Sequence, residues 1–411
     1  MPKTIFLYII ILFALEKLRE ILSTLAKAKQ SFYAYYPNRV LKQHAIWNQH
    51  LSYITPHYAI KSNPEPLLIK TLHSIGVKFD CASRQELALV KKYIPQPIRN
   101  EIVYANPCKS LIDLAYAQKL GCPLTVVDSF EELDKLADVK YEGGALIRIA
   151  VDDSQSKIPF SGKFGLAPSL VKELGIYAAS KKIKIKGISF HVGSGGNDGR
   201  VYYKSIMVAQ QLCNDLGKHV KIIDIGGGFL SCEKDFEAKT KFIKAAYDPH
   251  FQYIAEPGRF FSHTCQDFFV KVIGKKPWSG GWRYTIDDSL YGQFSCIPFD
   301  HAKPLWVRVG HVHEENRRKT KGILMGRTCD SVDVIARCEH MEELEVGDWL
   351  WFPHMGAYTN ATANEFNGFP KPPLRRTLIK TPNINDICFI DSLPEDIETV
   401  PAVSSAGLLK N

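Results

Sequence analysis

Between about residue 53 and residue 255, short apolar runs alternate with longer amphipathic stretches. This alternation is typical of parallel strands that are joined by crossover helices. Eight units of this kind favour a closed (β/α)8 TIM barrel, a fold that carries its functional residues on the loops after the strands. The predicted strands are Tyr58 to Lys61, Lys78 to Asp80, Ile102 to Tyr104, Leu124 to Val127, Ala145 to Ile149, Gly187 to His191, Ile222 to Ile225 and Tyr253 to Ala255.

The chain is longer than one barrel. It has 411 residues, which is more than one hydrophobic core usually supports. Beyond about residue 268 the helical spacing fades, and aromatic, β-branched, glycine and proline residues dominate. We therefore predict an α/β barrel domain over residues 37–268 and a second, mostly β domain over residues 269–411.

Composition and charge exclude several classes of protein. With 45% hydrophobic and 23% charged residues, the chain resembles an ordinary globular protein. The net charge is +9, but the only dense basic run, Lys181 to Lys186, alternates like an edge strand with a solvated face. A nucleic-acid partner is therefore not expected. The ten cysteines are scattered without a C-x-x-C pair, which favours reduced thiols and a cytoplasmic location.

Two further segments resemble a secretory signal and a metal site, and the surrounding sequence favours neither. The apolar run Ile5 to Leu15 resembles the start of a secretory signal but is too short to span a bilayer, and charged residues follow it at once. We expect an amphipathic or core-packed segment and no membrane partner. His311 and His313 precede the charged run Glu314 to Lys321, where a solvated hairpin tip is a better explanation than a metal cluster, so no metal is expected.

Lys61 stands out because no other lysine ends a strongly apolar strand of the predicted barrel. Most lysines lie on the surface, and that is the alternative here. A lysine amine at a barrel mouth can also form a Schiff base with an aldehyde cofactor when its neighbours lower its pKa.

Three motifs follow later barrel strands. "SFHVGSGG" places His191 at a strand end and Ser194 three residues on, and an imidazole there can stack on a cofactor ring or simply be a hydrogen-bonded core residue. The glycines of "DIGGGF" can turn backbone N–H groups toward a phosphate, although tight turns use glycine too. In "EPGRFF", Arg259 can bind a phosphate, and Glu256 can keep a pyridine nitrogen protonated.

Two polar, glycine-flanked motifs lie in the predicted β domain. "GRTCDSVD" carries Cys329 and Asp330, and "GAYTNATANEFNGF" carries Tyr358. Core packing does not explain these settings.

Together these motifs resemble the fold-type III pyridoxal-phosphate decarboxylases, and within them the eukaryotic-type ornithine decarboxylases. The resemblance covers about residue 30 to residue 370. It implies an alanine racemase-like barrel, pyridoxal 5′-phosphate as cofactor, a homodimer with shared active sites, and a β domain that also takes residues 1–36. The motifs occur in the family order: "YAIKSN", "FDCASRQEL", "YANPCK", "LIRIA", "KFG", "SFHVGSG", "DIGGGF", "AEPGR", "YGQFSC", "FDHAKP", "TCDSVD" and "GAYT...FNGF".

Carried over position by position, the resemblance implies a role for each matching residue. Lys61 would form the Schiff base, His191 would stack on the pyridine ring, and Glu256 would bind the ring nitrogen. A glutamate at that nitrogen suits decarboxylation better than racemisation. The other residues implied in cofactor binding are Asp80, Glu86, Arg148, Ser194, Gly226, Gly227, Gly228, Gly258, Arg259 and Tyr358.

The resemblance also implies how the substrate is held. Asp300 would bind its distal amine, with Asp330 contributed by the partner subunit and with Tyr291 and Phe366 also in contact. Cys329 would deliver the proton to the substrate carbon after carbon dioxide leaves. The implied activity is that of a carboxy-lyase acting on a small basic L-amino acid, L-ornithine to putrescine first, with L-arginine or L-lysine as alternatives.

Four positions depart from the family pattern. Ser62 replaces the usual cysteine, Arg327 a proline, Ser331 a glycine and Phe299 a tyrosine. The last three flank the distal end of the substrate, so they leave the substrate open. Two other readings remain: an inactive binding protein like the antizyme inhibitors, which lose cofactor residues that this chain keeps, and a barrel that uses the glycines for a sugar phosphate, which leaves the β-domain motifs unexplained.

Overall fold

The computed structural model describes residues 28–95, 101–154, 156, 158, 161–196, 198–309, 317–376 and 397–398. Two compact units are present: Val40–His263, and the described residues up to Arg39 and from Thr264 onward. The strands are β1 Phe32–Tyr35, β2 Ile54–Ala59, β3 Lys78–Cys81, β4 Ile102–Tyr104, β5 Leu124–Val127, β6 Gly144–Arg148, β7 Lys184–Ser189, β8 Ile222–Asp224, β9 Gln252–Ala255, β10 Gln266–Trp278, β11 Gly281–Ile286, β12 Val307–Val309, β13 Lys319–Met325, β14 Val334–Glu342, β15 Trp349–Phe352, β16 Leu374–Arg376 and β17 Ile397–Glu398. The helices are α1 Pro37–Leu51, α2 Pro66–Ser74, α3 Arg84–Tyr93, α4 Leu111–Leu120, α5 Phe130–Asp138, α6 Val171–Ser180, α7 Arg200–Leu216, α8 Glu233–Ala245, α9 Arg259–Ser262 and α10 Cys296–Asp300.

The first unit is a closed parallel barrel, which confirms the predicted TIM barrel. Strands β2 to β9 pair in chain order, and β9 pairs with β2 to close the ring, with Ile54 opposite Tyr253. Buried apolar side chains from several strands form a cluster that includes Val103, Val126 and Leu146. The carboxyl ends of all eight strands therefore meet at one edge.

Serine caps start three consecutive helices after the barrel strands, at Ser83, Ser110 and Ser129. Ser83 Oγ accepts a hydrogen bond from the Glu86 amide at 3.2 Å, and Ser110 does the same for Asp113 at 3.1 Å. Each hydroxyl satisfies an N–H group that the first helical turn leaves without a backbone partner. These caps fix where each strand-to-helix loop ends, and those loops form the functional edge.

The first barrel strand was predicted wrongly. It is β2 Ile54–Ala59, and Lys61 lies in the short 3-10 turn Ile60–Ser62 that follows it. Pro56 lies within this strand, and proline normally argues against a central strand, so the sequence pattern does not show where the strand begins. The lysine is thus displayed on a turn instead of ending the strand.

The basic run Lys181 to Lys186 is not an edge strand. Its second half opens β7, a barrel strand that pairs with both β6 and β8. The solvated face was predicted correctly: Lys184 and Lys186 are exposed, whereas Ile185 between them is buried.

The second unit is mostly β, as predicted. Its sheet runs in the order β12-β15-β10-β11-β13-β14-β17, and β1 pairs with β10 and with β16. The long strand β10 pairs with β1 and β15 through its first half and with β11 through its second, with an irregularity between Val272 and Gly274. Its core cluster includes Phe268, Tyr284 and Leu350.

Some predictions concern segments near or beyond the described chain. The charged run predicted as a loop ends inside a strand, since β13 begins at Lys319. Ile5 to Leu15, His311 and His313 lie outside the described residues. Within those residues, no helix is long and apolar enough to cross a membrane, and no cluster of three His, Cys, Asp or Glu side chains could hold a metal ion.

Asp288, buried in the second unit, should make stability depend on pH. Burial raises the pKa of its carboxyl group to about 7, although its Oδ1 accepts from the Ser289 and Gln293 amides at 2.7 Å. Between about pH 4 and pH 7 the unfolded chain has lost this proton while the folded chain keeps it, so this group lowers the free energy of unfolding as pH rises. Asp288→Asn keeps an acceptor without the charge. Its stability relative to wild type should rise by about 2–4 kcal/mol across that window.

Urea midpoints of both proteins between about pH 4.5 and pH 8 measure this effect. Glu339→Gln, which removes an exposed acid of the same unit, is the control and should run parallel to wild type. Parallel curves for Asp288→Asn would show that the buried carboxyl does not titrate as described.

Candidate active site

Five of the predicted site residues lie at the carboxyl edge of the barrel. Lys61 follows β2, Asp80 lies in β3, Arg148 ends β6, His191 follows β7 and Glu256 follows β9. They interact electrostatically, since the two cations lower the pKa of His191 and oppose the rise in the pKa values of both acids. The structure therefore brings this part of the predicted site together.

Buried neighbours fix the position of Lys61. Its own side chain is exposed, whereas Ser62 and Asn63 have no exposed surface. Ser62 Oγ lies 2.6 Å from Ser262 Oγ, and Tyr58 Oη donates to the Asn63 carbonyl at 3.0 Å. The turn is anchored by residues that cannot move independently, so the lysine projects from a rigid base. Ser62, which replaces the usual cysteine, takes part in that anchoring.

His191 is held as a neutral ring. The Gly193 amide donates to its Nδ1 at 3.0 Å, so this nitrogen carries no proton. Burial, Lys61 and Arg148 together lower the pKa of His191 well below its usual value. A neutral, oriented imidazole presents a flat face, which suits packing against an aromatic ring.

Two acids at this edge have buried oxygens without a hydrogen-bond partner among the described residues. Both carboxylate oxygens of Asp80 and the Oε1 of Glu256 are buried without a partner among the described residues. Burial raises the pKa of Asp80 well above its usual value, as does nearby Glu256. Glu256 responds in the same way to burial and to nearby Asp224, which raise its pKa. Because an unsatisfied buried polar group is destabilising, these atoms fit a site that receives a polar ligand.

Glu86 is placed differently from those two acids. Its Oε2 accepts from the Ala82 amide at 2.6 Å, close to the start of α3. Burial raises the pKa of Glu86, and Lys61 opposes that rise. It thus lies within electrostatic reach of the lysine, as predicted for a neighbouring acid.

The glycines after β8 fold back against the loop after β7. Gly226 and Gly228 have positive φ values of 64° and 95°. A Cβ atom on Gly226 would lie 2.4 Å from the Phe190 carbonyl oxygen, and one on Gly228 would lie 2.6 Å from that of Gly193. Only glycine permits this close approach of two backbones, so the turn after β8 is a glycine cradle without side chains, which fits a phosphate group.

The remaining barrel residues predicted at the phosphate lie on neighbouring loops. Ser194 exchanges backbone hydrogen bonds with Ile158 at 3.1 and 3.2 Å, and Arg259 opens the short helix α9 directly after Gly258. A pyridine ring with an aldehyde and a phosphate requires a particular set of protein groups. This edge provides them: a lysine, a neutral imidazole, an acid with an unpaired oxygen, and a glycine cradle beside an arginine. The residues present therefore fit pyridoxal 5′-phosphate.

Cys329 and Asp330 lie in the second unit, on the loop between β13 and β14. Buried Asp333 anchors this loop, because its carboxylate accepts from the Leu290 amide at 2.8 Å and from Thr328 Oγ1 at 2.6 Å. The Cys329 amide donates to Asn367 Oδ1 at 3.1 Å, while Cys329 itself is exposed. The loop thus presents a thiol from a fixed backbone.

Two predicted substrate residues meet at the same loop. Tyr291 Oη donates to Asp330 Oδ2, and this hydrogen bond lowers the pKa of Asp330. The Tyr291 ring stacks on Phe366 with centroids 4.3 Å apart. Asp300 lies at the end of α10, and Tyr358 lies after β15 with a positive φ of 55°.

Arg327, where the family shows proline, supports this loop. Its guanidinium lies 4.3 Å from the centroid of Phe369, its Nη2 donates to the Pro370 carbonyl at 3.4 Å, and its amide donates to the Asp288 carbonyl at 3.0 Å. The substitution therefore has a packing role. Phe299 is 67% exposed, and nothing described in the structure explains the loss of the tyrosine hydroxyl there.

Sequence reasoning assigned no role to Ser189 and Asp224, the last residues of β7 and β8. Ser189 Oγ donates to Asp224 Oδ2 at 3.1 Å, and the Gly226 amide donates to Asp224 Oδ1 at 2.9 Å. The available signal was an acid inside the apolar run Ile222 to Ile225, which three glycines follow. Such an acid is buried by its strand and cannot be a simple surface residue.

Comparison with known proteins agrees with this geometry. Residues 38–263 match the family described as pyridoxal-dependent decarboxylase, pyridoxal binding domain. The chain is 36% identical over 359 residues to ornithine decarboxylase of Caenorhabditis elegans, covering 82% of this chain and 84% of that protein. It is 35% identical over 359 residues to antizyme inhibitor 2 of Xenopus laevis, covering 82% and 78%. The crystal structure of the Paramecium bursaria Chlorella virus arginine decarboxylase superposes with a TM-score of 0.83 at 32% identity, covering 88% of this chain and all of that one.

Proposed function

We propose that this chain, which belongs to the pyridoxal-dependent decarboxylases and takes pyridoxal 5′-phosphate as its cofactor, removes the carboxylate of a basic L-amino acid, L-ornithine first. The observation that carries the proposal is that Lys61 and Glu256 lie at the same barrel edge, where Glu256 Oε1 is buried without a hydrogen-bond partner among the described residues. An acid in that place keeps a pyridine nitrogen protonated, and the bound cofactor then supplies an electron sink for the bond that breaks.

Each residue of the barrel has a distinct task in this proposal. Arg259 and the loop of Gly226, Gly227 and Gly228 bind the phosphate group. His191 packs its neutral ring against the cofactor ring, and Glu256 holds a proton at the ring nitrogen. Lys61 Nζ would hold the cofactor covalently through its aldehyde.

The second unit supplies the proton donor and the recognition of the substrate tail. Cys329 Sγ would supply the proton that replaces the carboxylate on the substrate carbon. A substrate with a cationic tail needs carboxylates around it, because an ammonium or guanidinium group removed from water without a partner is costly. Asp300 and Asp330 provide these carboxylates, and Tyr291 orients Asp330.

The active unit in this proposal is a homodimer with shared sites, located in the cytoplasm. Large apolar side chains around the Cys329 loop support a covered surface: Val332 is 60% exposed and Phe366 41% exposed. Soluble proteins usually bury such clusters against a partner. The exposed thiols of Cys108 and Cys232, which an oxidising compartment would endanger, support the cytoplasmic location.

Substrate choice is tested by carbon dioxide release from ornithine, lysine, arginine and diaminopimelate in parallel. We expect the highest kcat/KM for ornithine, because ornithine decarboxylases are among the relatives that are 36% identical to this chain. Asp300→Ala should reduce kcat/KM for the true substrate by about tenfold to a hundredfold and leave the cofactor Kd unchanged. An arginine value about tenfold above that of ornithine, or an equal loss in cofactor binding, would contradict these assignments.

A binding protein without activity is the second candidate, because antizyme inhibitor 2 is also a relative. This chain keeps Lys61, His191, Glu256, Arg259 and Cys329, which such a protein does not need. A colourless protein that releases no carbon dioxide from any basic amino acid would favour this second function.

A further inference from the structure

Asp224 is fixed on two sides inside the barrel edge. It is the last residue of β8, and none of its surface is exposed. Its Oδ1 accepts from the Gly226 amide at 2.9 Å, and its Oδ2 accepts from Ser189 Oγ at 3.1 Å. These donors come from the turn after its own strand and from the neighbouring strand, so the carboxyl group cannot rotate without losing a hydrogen bond.

Asp224 lies beside Glu256, because the Gly226 amide donates to Asp224 Oδ1 while the Gly226 carbonyl accepts from the Glu256 amide at 2.8 Å. Two adjacent buried carboxyl groups can hydrogen-bond to each other only if one of them carries a proton. The donors from Ser189 and Gly226 stabilise an anion on Asp224, whereas Glu256 Oε1 has no partner among the described residues, so the shared proton lies on Glu256 and the pair keeps one negative charge that can stabilise a protonated ring nitrogen. Burial supports one retained proton, because it raises the pKa of Asp224 to about 6 and that of Glu256 well above its usual value.

We propose that Asp224 is a positioning residue that, through a proton shared with Glu256, holds the Glu256 carboxyl group so that its Oε1 stays available to the ring nitrogen of the cofactor. Gly226 strengthens the coupling, because its carbonyl accepts from the Glu256 amide at 2.8 Å while its own amide donates to Asp224. The inference rests on the proposed function, since it concerns the same cofactor. Other charged groups that act on the pair are Asp80 of β3, Lys61 after β2 and Arg148 of β6.

A double-mutant cycle of Asp224→Ala and Glu256→Ala tests the proposal. The probe is pyridoxine 5′-phosphate, which has the ring and the phosphate but no aldehyde to react with Lys61, and the measurement is its Kd for the cofactor-free chain. Asp224→Ala should weaken binding about tenfold in the wild-type background, because it releases Glu256, and less than about twofold in the Glu256→Ala background. Asp224→Asn, which keeps an oxygen for Gly226 and a donor for Glu256, should recover most of the affinity.

Two controls show whether weaker binding of pyridoxine 5′-phosphate by Asp224→Ala comes from the lost contact with Glu256 or from a disturbed fold. Inorganic phosphate lacks the ring, so its Kd should be the same for wild type and Asp224→Ala. Asp128→Ala removes another acid at the carboxyl end of a barrel strand, one that accepts the Gly165 amide at 2.9 Å, and this variant should bind pyridoxine 5′-phosphate like wild type. If Asp224→Ala does not fold, Asp224→Ser replaces it, since the shorter hydroxyl still serves Gly226 but does not reach Glu256.

The outcomes distinguish this inference from the proposed function. A wild-type chain that binds neither pyridoxal 5′-phosphate nor pyridoxine 5′-phosphate would overturn the proposed function. A wild-type chain that binds both, with an Asp224→Ala loss that is absent or is equally large in the Glu256→Ala background, would overturn only the role of Asp224.

Discussion

Lys61→Ala should abolish covalent attachment of the cofactor and lower the decarboxylation rate by about a thousandfold or more. The wild-type chain loaded with pyridoxal 5′-phosphate should be yellow. Borohydride should bleach the colour and leave the cofactor on Lys61 after denaturation, where mass spectrometry of peptides locates it. Lys61 projects from a turn whose neighbours Ser62 and Asn63 are fully buried, so alanine there removes the amine from a fixed position.

Lys163→Ala is the matched control for this experiment. Lys163 is exposed on the loop after β6, and its Nζ lies 5.1 Å from the centroid of Phe164. It should keep wild-type colour, attachment and rate, because nothing places it among the acids of the barrel edge. Attachment to Lys163 in the wild-type chain would contradict the assignment of Lys61.

The barrel could be predicted because its signals are local. Ile102–Tyr104 and Leu124–Val127 are apolar runs whose bounds coincide with β4 and β5. The turn that displays Lys61 could not be predicted in the same way. It depends on contacts such as Ser62 with Ser262, two residues that are 200 positions apart in the chain.

In the candidate site, too, local features could be predicted from the sequence and long-range contacts could not. Glycine-rich turns and strand-end residues such as His191 are visible in the sequence, because each occupies a special place in a local pattern. The coupling of Asp224 with Ser189 and Glu256 depends on the register of β7, β8 and β9, which no single segment contains. Lys109 is similar: it lies inside the motif "YANPCK", yet only the fold shows a buried ammonium group that donates to the Val126 carbonyl at 2.7 Å and pairs with Glu132.

Mixing two inactive chains should restore activity if the sites are shared in a homodimer. Lys61→Ala lacks the covalent anchor of the cofactor, and Cys329→Ala lacks the proton donor, whose loss alone costs on the order of 10²–10⁴-fold in rate. After random exchange, half of the dimers carry one chain of each kind. In each of these, one site combines an intact Lys61 with an intact Cys329 of the other chain, so the mixture should reach about a quarter of wild-type activity.

In a second experiment, wild type is mixed with the double variant Lys61→Ala, Cys329→Ala. Here a shared site predicts a loss of activity and not a gain. If each site uses Lys61 of one chain and Cys329 of the other, both sites of such a mixed dimer contain one substitution. Equal mixing should then lower activity from the half expected by dilution to about a quarter, because only wild-type dimers remain active. If each chain instead builds a site from its own two residues, the wild-type chain stays active in every dimer and the mixture keeps half. Exchange must be shown independently with differently tagged chains, and activity that stays at half here, and at zero in the first mixture, would contradict the shared site.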